Sequence, residues 1–147
     1  VKIKDVISRI ESAGIGVGAN YIFGLPNDTL QTMQNTLDFA IENSTDMANF
    51  YSAMAYPGSP LYLDAKRNGM ELPSTYSGYS QHSYDTLNMS NENLTSAQIL
   101  EFRDMAWDKY HTSPKYVNQL EKKFGLAAKN ELENTTKVSL KRKLLGD

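Results

Sequence analysis

The run Tyr21-Ile22-Phe23-Gly24-Leu25-Pro26-Asn27-Asp28 lies where an apolar stretch ends and a helix begins. Residues 15–23 are apolar and β-rich, and the stretch stops hard at Gly24-Leu25-Pro26. Asp28 reads as an N-cap with Gln31 as its capping-box partner. Leu30, Met33, Leu37, Ala40 and Ile41 then share one apolar helix face. The same punctuation returns downstream. Residues 47–56 read as a second strand, closed by Tyr56-Pro57-Gly58, and Ser59-Pro60 opens a short helix that Asn68-Gly69 closes. Upstream, Ile3, Val6, Ile7 and Ile10 recur at helical spacing, and Ala13-Gly14 ends that helix.

Helices alternating with short buried strands predict an α/β fold built of parallel βα units. Two such strands do not make a stable parallel sheet alone, because parallel sheets are buried on both faces. A whole (β/α)8 barrel takes ~250 residues. The expectation is therefore the last repeats of a barrel or open sheet, with further strands before Val1; a first residue other than methionine agrees with a piece of a longer protein.

The 147 residues carry a formal net charge of -2 and no cysteine. The length suits about one domain with a real core. Without cysteine, disulfides, zinc ribbons, thiol catalysis and a thiolate-held cluster are excluded within these residues. The weak negative charge argues against a nucleic-acid-binding surface. No apolar run approaches the ~18 residues of a membrane span and no signal peptide opens the chain, so a cytoplasmic location and no membrane contact are expected.

Residues 1–69 hold the βα units. Residues 70–94 form a polar loop in which Tyr76, Tyr79 and Tyr84 sit among Ser, Gly, Asn and His82. It reads either as a surface loop packed by its tyrosines or as a lid over a binding site. Residues 95–147 carry only helical signals. Thr95 and Gln98 form a capping box ahead of Ile99, Phe102, Ala106, Trp107 and Tyr110. Ser113-Pro114 restarts a helix with Tyr116, Val117, Leu120 and Phe124 on its core face, and Gly125 stops it. A last helix is expected to carry Ala128, Leu132 and Leu144 and to end in Lys141-Arg142-Lys143, basic residues that complement a helix dipole.

His82 and His111 are the only histidines, and neither has a second histidine at metal-ligand spacing. No nucleophile elbow, phosphate loop or dinucleotide fingerprint is present. The informative places are the C-terminal ends of the two strands, where ligands bind in parallel α/β folds. A glycine there, such as Gly24, lets backbone approach a ligand closely. Strand alternation places Asn20, Ile22 and Gly24 on one face, and Asn49 and Tyr51 on one face of the second strand. Asn20 and Asn49 either bond each other or nearby backbone, or line a polar cavity.

Several of these residues carry a resemblance. Ala13-Gly14-Ile15, Tyr21 through Pro26 with Asp28-Thr29, and Asn49-Phe50 followed by Ala55-Tyr56-Pro57-Gly58-Ser59-Pro60-Leu61-Tyr62 look like the last part of a radical S-adenosylmethionine domain. The tail, with Gly78-Tyr79-Ser80-Gln81, Phe102-Arg103-Asp104, Lys123-Phe124-Gly125 and Leu140 through Leu145, resembles the C-terminal extension of the cobalamin-binding branch of that family. The resemblance implies the last two βα units of a partial (β/α)6 TIM-like barrel, followed by an all-helical extension.

In that family a CxxxCxxC motif after the first strand holds a 4Fe-4S cluster whose open iron binds S-adenosylmethionine. Reduction then yields a 5′-deoxyadenosyl radical. The resemblance puts both the cluster ligands and the cobalamin-binding domain upstream of this chain. Ile22 and Gly24, with Pro26, are expected against the adenosyl part of the cofactor, and Met54 and Tyr56 beside the adenine. Asn20, Asn49 and Tyr51 are expected to line the substrate cavity. Family members often carry a glutamate after the fifth-strand glycine; Asn27 or Asp28 stands nearest here. The implied role is a wall for radical methyl transfer or rearrangement of a small molecule, inactive without the rest of its own polypeptide. The alternatives are a non-catalytic helical interaction module and a (β/α) barrel enzyme of other chemistry.

Overall fold

A computed structural model describes residues 2–147. In chain order the elements are α1 (Ile3–Ser12), β1 (Gly18–Phe23), α2 (Leu30–Glu42), β2 (Met47–Ser52), α3 (Pro60–Arg67), a 3-10 turn (Tyr76–Tyr79), α4 (Ser96–His111), α5 (Pro114–Phe124), α6 (Leu126–Thr135) and a final 3-10 turn (Lys143–Leu145). The fold is α/β, and β1 and β2 pair in a two-stranded sheet. Met47 N–H donates to Val17 O (3.3 Å) and Ala53 N–H to Phe23 O (2.8 Å). Both strands advance in the same direction between these two bonds, so the pair is parallel. Among the described residues no helix is long and apolar enough to cross a membrane.

The strands are shorter than the apolar runs that announce them. β1 starts at Gly18 rather than residue 15, because Gly14 (φ +76°) ends α1 and Val17 N–H is taken by the Asp46 carboxylate at 3.0 Å. β2 ends at Ser52 rather than residue 56. Ala53, Met54 and Ala55 are all buried in succession, and Ala53 O accepts from Met89 N–H at 2.9 Å instead of continuing a ladder. The cap of α2 also lies one residue later than expected. Thr29 and Thr32 exchange hydrogen bonds, Thr29 N–H to Thr32 Oγ1 (2.9 Å) and Thr32 N–H to Thr29 Oγ1 (3.2 Å). The caps at Thr95/Gln98, Ser59 and Ser113 form as their sequences predict.

Two compact units divide the chain. The first comprises the N-terminal segment to Tyr21, Gln34–Phe50 and Met105–Val138. Its centre is aromatic: Tyr21 stacks on Phe50 (centroids 5.3 Å), Phe50 meets Tyr110 (5.4 Å), and Tyr110 meets Tyr116 (4.8 Å). The Tyr110 hydroxyl accepts from Thr45 N–H (3.0 Å) and donates to Thr45 O (3.2 Å). His111 is buried in this cluster, its Nδ1 2.7 Å from Trp107 O. Asp46 accepts from Lys123 Nζ at 2.6 and 2.7 Å. The apolar residues of α1 are not core: no residue of that helix is buried.

The second unit comprises Ile22–Met33, Tyr51–Asp104 and Ser139–Asp147. Phe23 meets Phe102 edge-on at 5.1 Å, and Met33, Ile99 and Leu100 are fully buried. Two expectations change here. Of the three loop tyrosines only Tyr79 packs, against Tyr56 at 5.9 Å; Tyr76 is 93% exposed and Tyr84 51%. Polar groups hold the loop: Asp85 accepts from the hydroxyls of Ser77 (2.6 Å) and Ser83 (2.9 Å), and Asn88 Nδ2 donates to Met89 O and Ser96 O. Nor does the last helix reach Lys141-Arg142-Lys143. α6 stops at Thr135, and Arg142 is 1% exposed rather than solvated at a helix end. A buried guanidinium needs an anionic partner, and Asp104 provides it.

Candidate functional site

The turn after β1 is built to be rigid. Gly24 has φ +81°, and a Cβ there would lie 2.6 Å from Ile99 Cγ2 and 2.8 Å from Ile99 Cδ1. Glycine is thus demanded by packing inside the unit as well as by backbone conformation. Asp28 closes the turn: its carboxylate accepts from Leu25 N–H (2.9 Å) and from the Thr32 hydroxyl (2.8 Å). Asn91, at the far end of the polar loop, clamps the same turn. Its Nδ2 donates to Leu25 O (2.9 Å) and Asp28 O (3.0 Å), while its Oδ1 accepts from Asn93 N–H (2.9 Å) and Leu94 N–H (2.8 Å). All four contacts of one side chain go to main chain, so the loop's end and the turn move as one body.

This clamp frames a cleft of about 420 Å³. Gly24, Pro26 and Asn27 come to it from the turn after β1, Ala53 from the end of β2, Leu61 from α3, and Met89 from the loop. Asn68, Asn91, Asp64 and Glu92 add polar groups, and no lysine, arginine or histidine lines it. Apolar walls with a few convergent amides and carboxylates suit a ligand with an apolar body and hydroxyl or amino groups. Among the described residues no group of three or more His, Asp or Glu side chains is placed to hold a metal ion.

Of the residues singled out by sequence, Gly24 and Pro26 line the cleft. Ile22 is half exposed on β1, Met54 is buried, and Tyr56 lies against Tyr79 at 5.9 Å; none of these three lines it. Asn49 Nδ2 donates to Asn20 Oδ1 at 3.1 Å on exposed strand positions, and Asn20 lines a shallow depression with Val17, Ala19 and Tyr21. Tyr51 is partly buried on β2. Sequence reading missed Asn91, and it named Gln81 and Arg142 without the contacts they make. The Asn91-Glu92-Asn93-Leu94-Thr95 run before α4 was the one local sign of the first, since asparagine favours such turns.

No family model matches the chain, and no solved structure does. Two curated proteins are similar to it. An uncharacterized methyltransferase of Pyrococcus horikoshii is 26% identical over 113 residues, which cover 77% of this chain and 24% of that protein. An anaerobic magnesium-protoporphyrin IX monomethyl ester cyclase of Cereibacter sphaeroides is 29% identical over 98 residues, covering 67% of this chain and 15% of that protein. Both are named as enzymes, and the chain spans a quarter or less of the length of each.

Proposed function

We propose that this chain is the closing part of a radical S-adenosylmethionine enzyme, its two βα units ending a partial (β/α)6 barrel and its cleft forming one wall of the cofactor and substrate cavity. The observation that carries this reading is the placement of the cleft. It opens at the C-terminal ends of two parallel strands and takes residues from both strand ends, Gly24 and Pro26 after β1 and Ala53 after β2. The two similar proteins, a methyltransferase and an anaerobic cyclase, agree with methyl transfer or radical rearrangement as the reaction class.

The residues present fit a supporting role toward S-adenosylmethionine. Asp28 spends its carboxylate inside the turn, so of the two polar residues that follow Pro26 it is Asn27 that lines the cleft. Asn27 and Asn91 would orient hydroxyl or amino groups, and Ala53, Leu61 and Met89 would keep water from them. Bound next to a cluster and reduced, S-adenosylmethionine supplies a 5′-deoxyadenosyl radical. The chain has no cysteine, so a cluster would be held by other parts of the polypeptide, as would cobalamin if the enzyme uses it.

The test is made on the full-length gene product prepared without oxygen. Expected are about four irons per chain, formation of 5′-deoxyadenosine from S-adenosylmethionine on reduction, and a several-fold higher KM for S-adenosylmethionine in Asn27→Ala. Protein without iron that forms no 5′-deoxyadenosine overturns the reading.

A further inference from the structure

The most deeply buried charge in the second unit lies almost at its last residues. Arg142 Nε and Nη2 donate to the two carboxylate oxygens of Asp104, each at 2.9 Å. Nη2 also donates to Gln81 O (2.9 Å) and Nη1 to Ser83 O (3.0 Å). Main chain joins in: Lys143 N–H donates to Tyr84 O at 2.9 Å, and Arg142 N–H to the Asp147 carboxylate at 2.8 Å. The Tyr84 hydroxyl donates to Asp147 O at 2.8 Å. Segment Ser139–Asp147 thus grips residues 81–84 through a planar fork whose geometry lysine does not reproduce.

What is gripped has its own task. Ala53 N–H points to Phe23 of β1, so the N–H and C=O of Ser52, one residue earlier, point to the opposite edge of β2. There the side chain of Gln81 meets both: Ser52 N–H donates to Gln81 Oε1 (3.0 Å) and Gln81 Nε2 donates to Ser52 O (3.0 Å). The Ser52 hydroxyl donates to the same Oε1 at 3.0 Å. A side-chain amide offers the same donor and acceptor pair as a neighbouring strand, and both Gln81 and Ser52 are buried. An exposed edge left open is a template for unwanted pairing.

We propose that Ser139–Asp147 is a latch: Arg142 holds Gln81 on the outer edge of β2, and Gln81 makes β2 a terminal strand. The sheet can then grow only from β1. The latch works the same way whichever cofactor the cleft takes.

Hydrogen exchange on the intact chain, read by mass spectrometry, tests the order of dependence. In Arg142→Ala, exchange rises on the order of ten- to a hundredfold across residues 81–87 and at Ser52, as expected when a buried charged hydrogen-bond set is lost; α5 and α6 keep their wild-type rates. In Gln81→Leu, Ser52 exchanges faster while Leu87 and Lys143 stay protected, because their acceptors, Gly78 O and Tyr84 O, and the Arg142 acceptors Gln81 O and Ser83 O are all main chain. Unchanged rates at Ser52 and at residues 81–87 in Arg142→Ala overturn the latch, and so does a uniform rise over the whole chain. Equal opening of Leu87 in Gln81→Leu overturns the order of dependence. Where Arg142→Ala does not fold, Arg142→Lys carries the same expectation, and wild-type rates in it count against the latch.

Discussion

Replacing Gly24 with alanine separates two reasons for a glycine at the end of β1. One is backbone: at φ +81° an L-residue costs ~1–2 kcal/mol. The other is space: the new methyl would sit 2.6–3.1 Å from three atoms of Ile99, a fully buried side chain, and overpacking of this kind costs ~1–3 kcal/mol. Gly24→Ala should therefore destabilise by ~2–5 kcal/mol. Ile99→Ala removes all three contacting atoms, and alone it costs ~2–5 kcal/mol as a cavity. In the double variant the methyl has room, so only the backbone part of the glycine effect remains. The two substitutions should fall short of additivity by ~1–3 kcal/mol. Urea unfolding followed by far-ultraviolet circular dichroism measures all four proteins of the cycle. Additive effects, or a Gly24→Ala variant as stable as wild type, would refute the packing explanation and return the glycine to a purely ligand-facing role.

Other outcomes follow from single contacts. Tyr110→Phe leaves Thr45 N–H and O without their partner in the aromatic centre, and should cost ~1–3 kcal/mol by the same unfolding assay. Asn91→Ala leaves Asn93 N–H and Leu94 N–H without their acceptor and takes one of two donors from each of Leu25 O and Asp28 O, which keep Asp28 N–H and Asn93 Nδ2; it should cost a similar ~1–3 kcal/mol, with faster exchange at Leu94. His82 titrates below the usual histidine range, first because of partial burial, then because Arg103 and Arg142 repel its charged form, with Asp104 opposing. The unfolded chain then binds the proton more readily, so stability is full above about pH 6.5 and declines as pH falls through the folded-state value. His82→Asn should flatten that decline in urea midpoints taken between pH 7.5 and 5, and an unchanged slope would exclude His82 as its source.

What could be read from sequence was what is local. The face of α2 buries Met33, Leu37 and Ala40 completely, as their spacing requires. Caps at Ser59, Thr95 and Ser113 involve neighbours three residues away and form as read. Misplacements arise where a side chain finds a partner other than the one its position suggests, near or far along the chain. Asp28 has the chemistry of an N-cap, but Leu25 N–H and the Thr32 hydroxyl claim it and pass the cap to Thr29. Arg142 looks like one of three solvated basic residues, and only Asp104, 38 residues earlier, singles it out. The cleft was half legible: Gly24, Pro26 and Asn27 follow a strand that stops hard, whereas Met89 and Asn91 are ordinary residues until the loop folds back.

The grip of Arg142 on Gln81 also sets a timetable. The two residues are 61 positions apart. At a synthesis rate of ~5–20 residues per second, Gln81 is made about 3–12 s before the side chain that secures it. During that interval the outer edge of β2 has its amide stop but no bolt behind it. A ribosome that pauses between these codons prolongs the period in which this strand's edge is unbolted beside a neighbouring nascent chain.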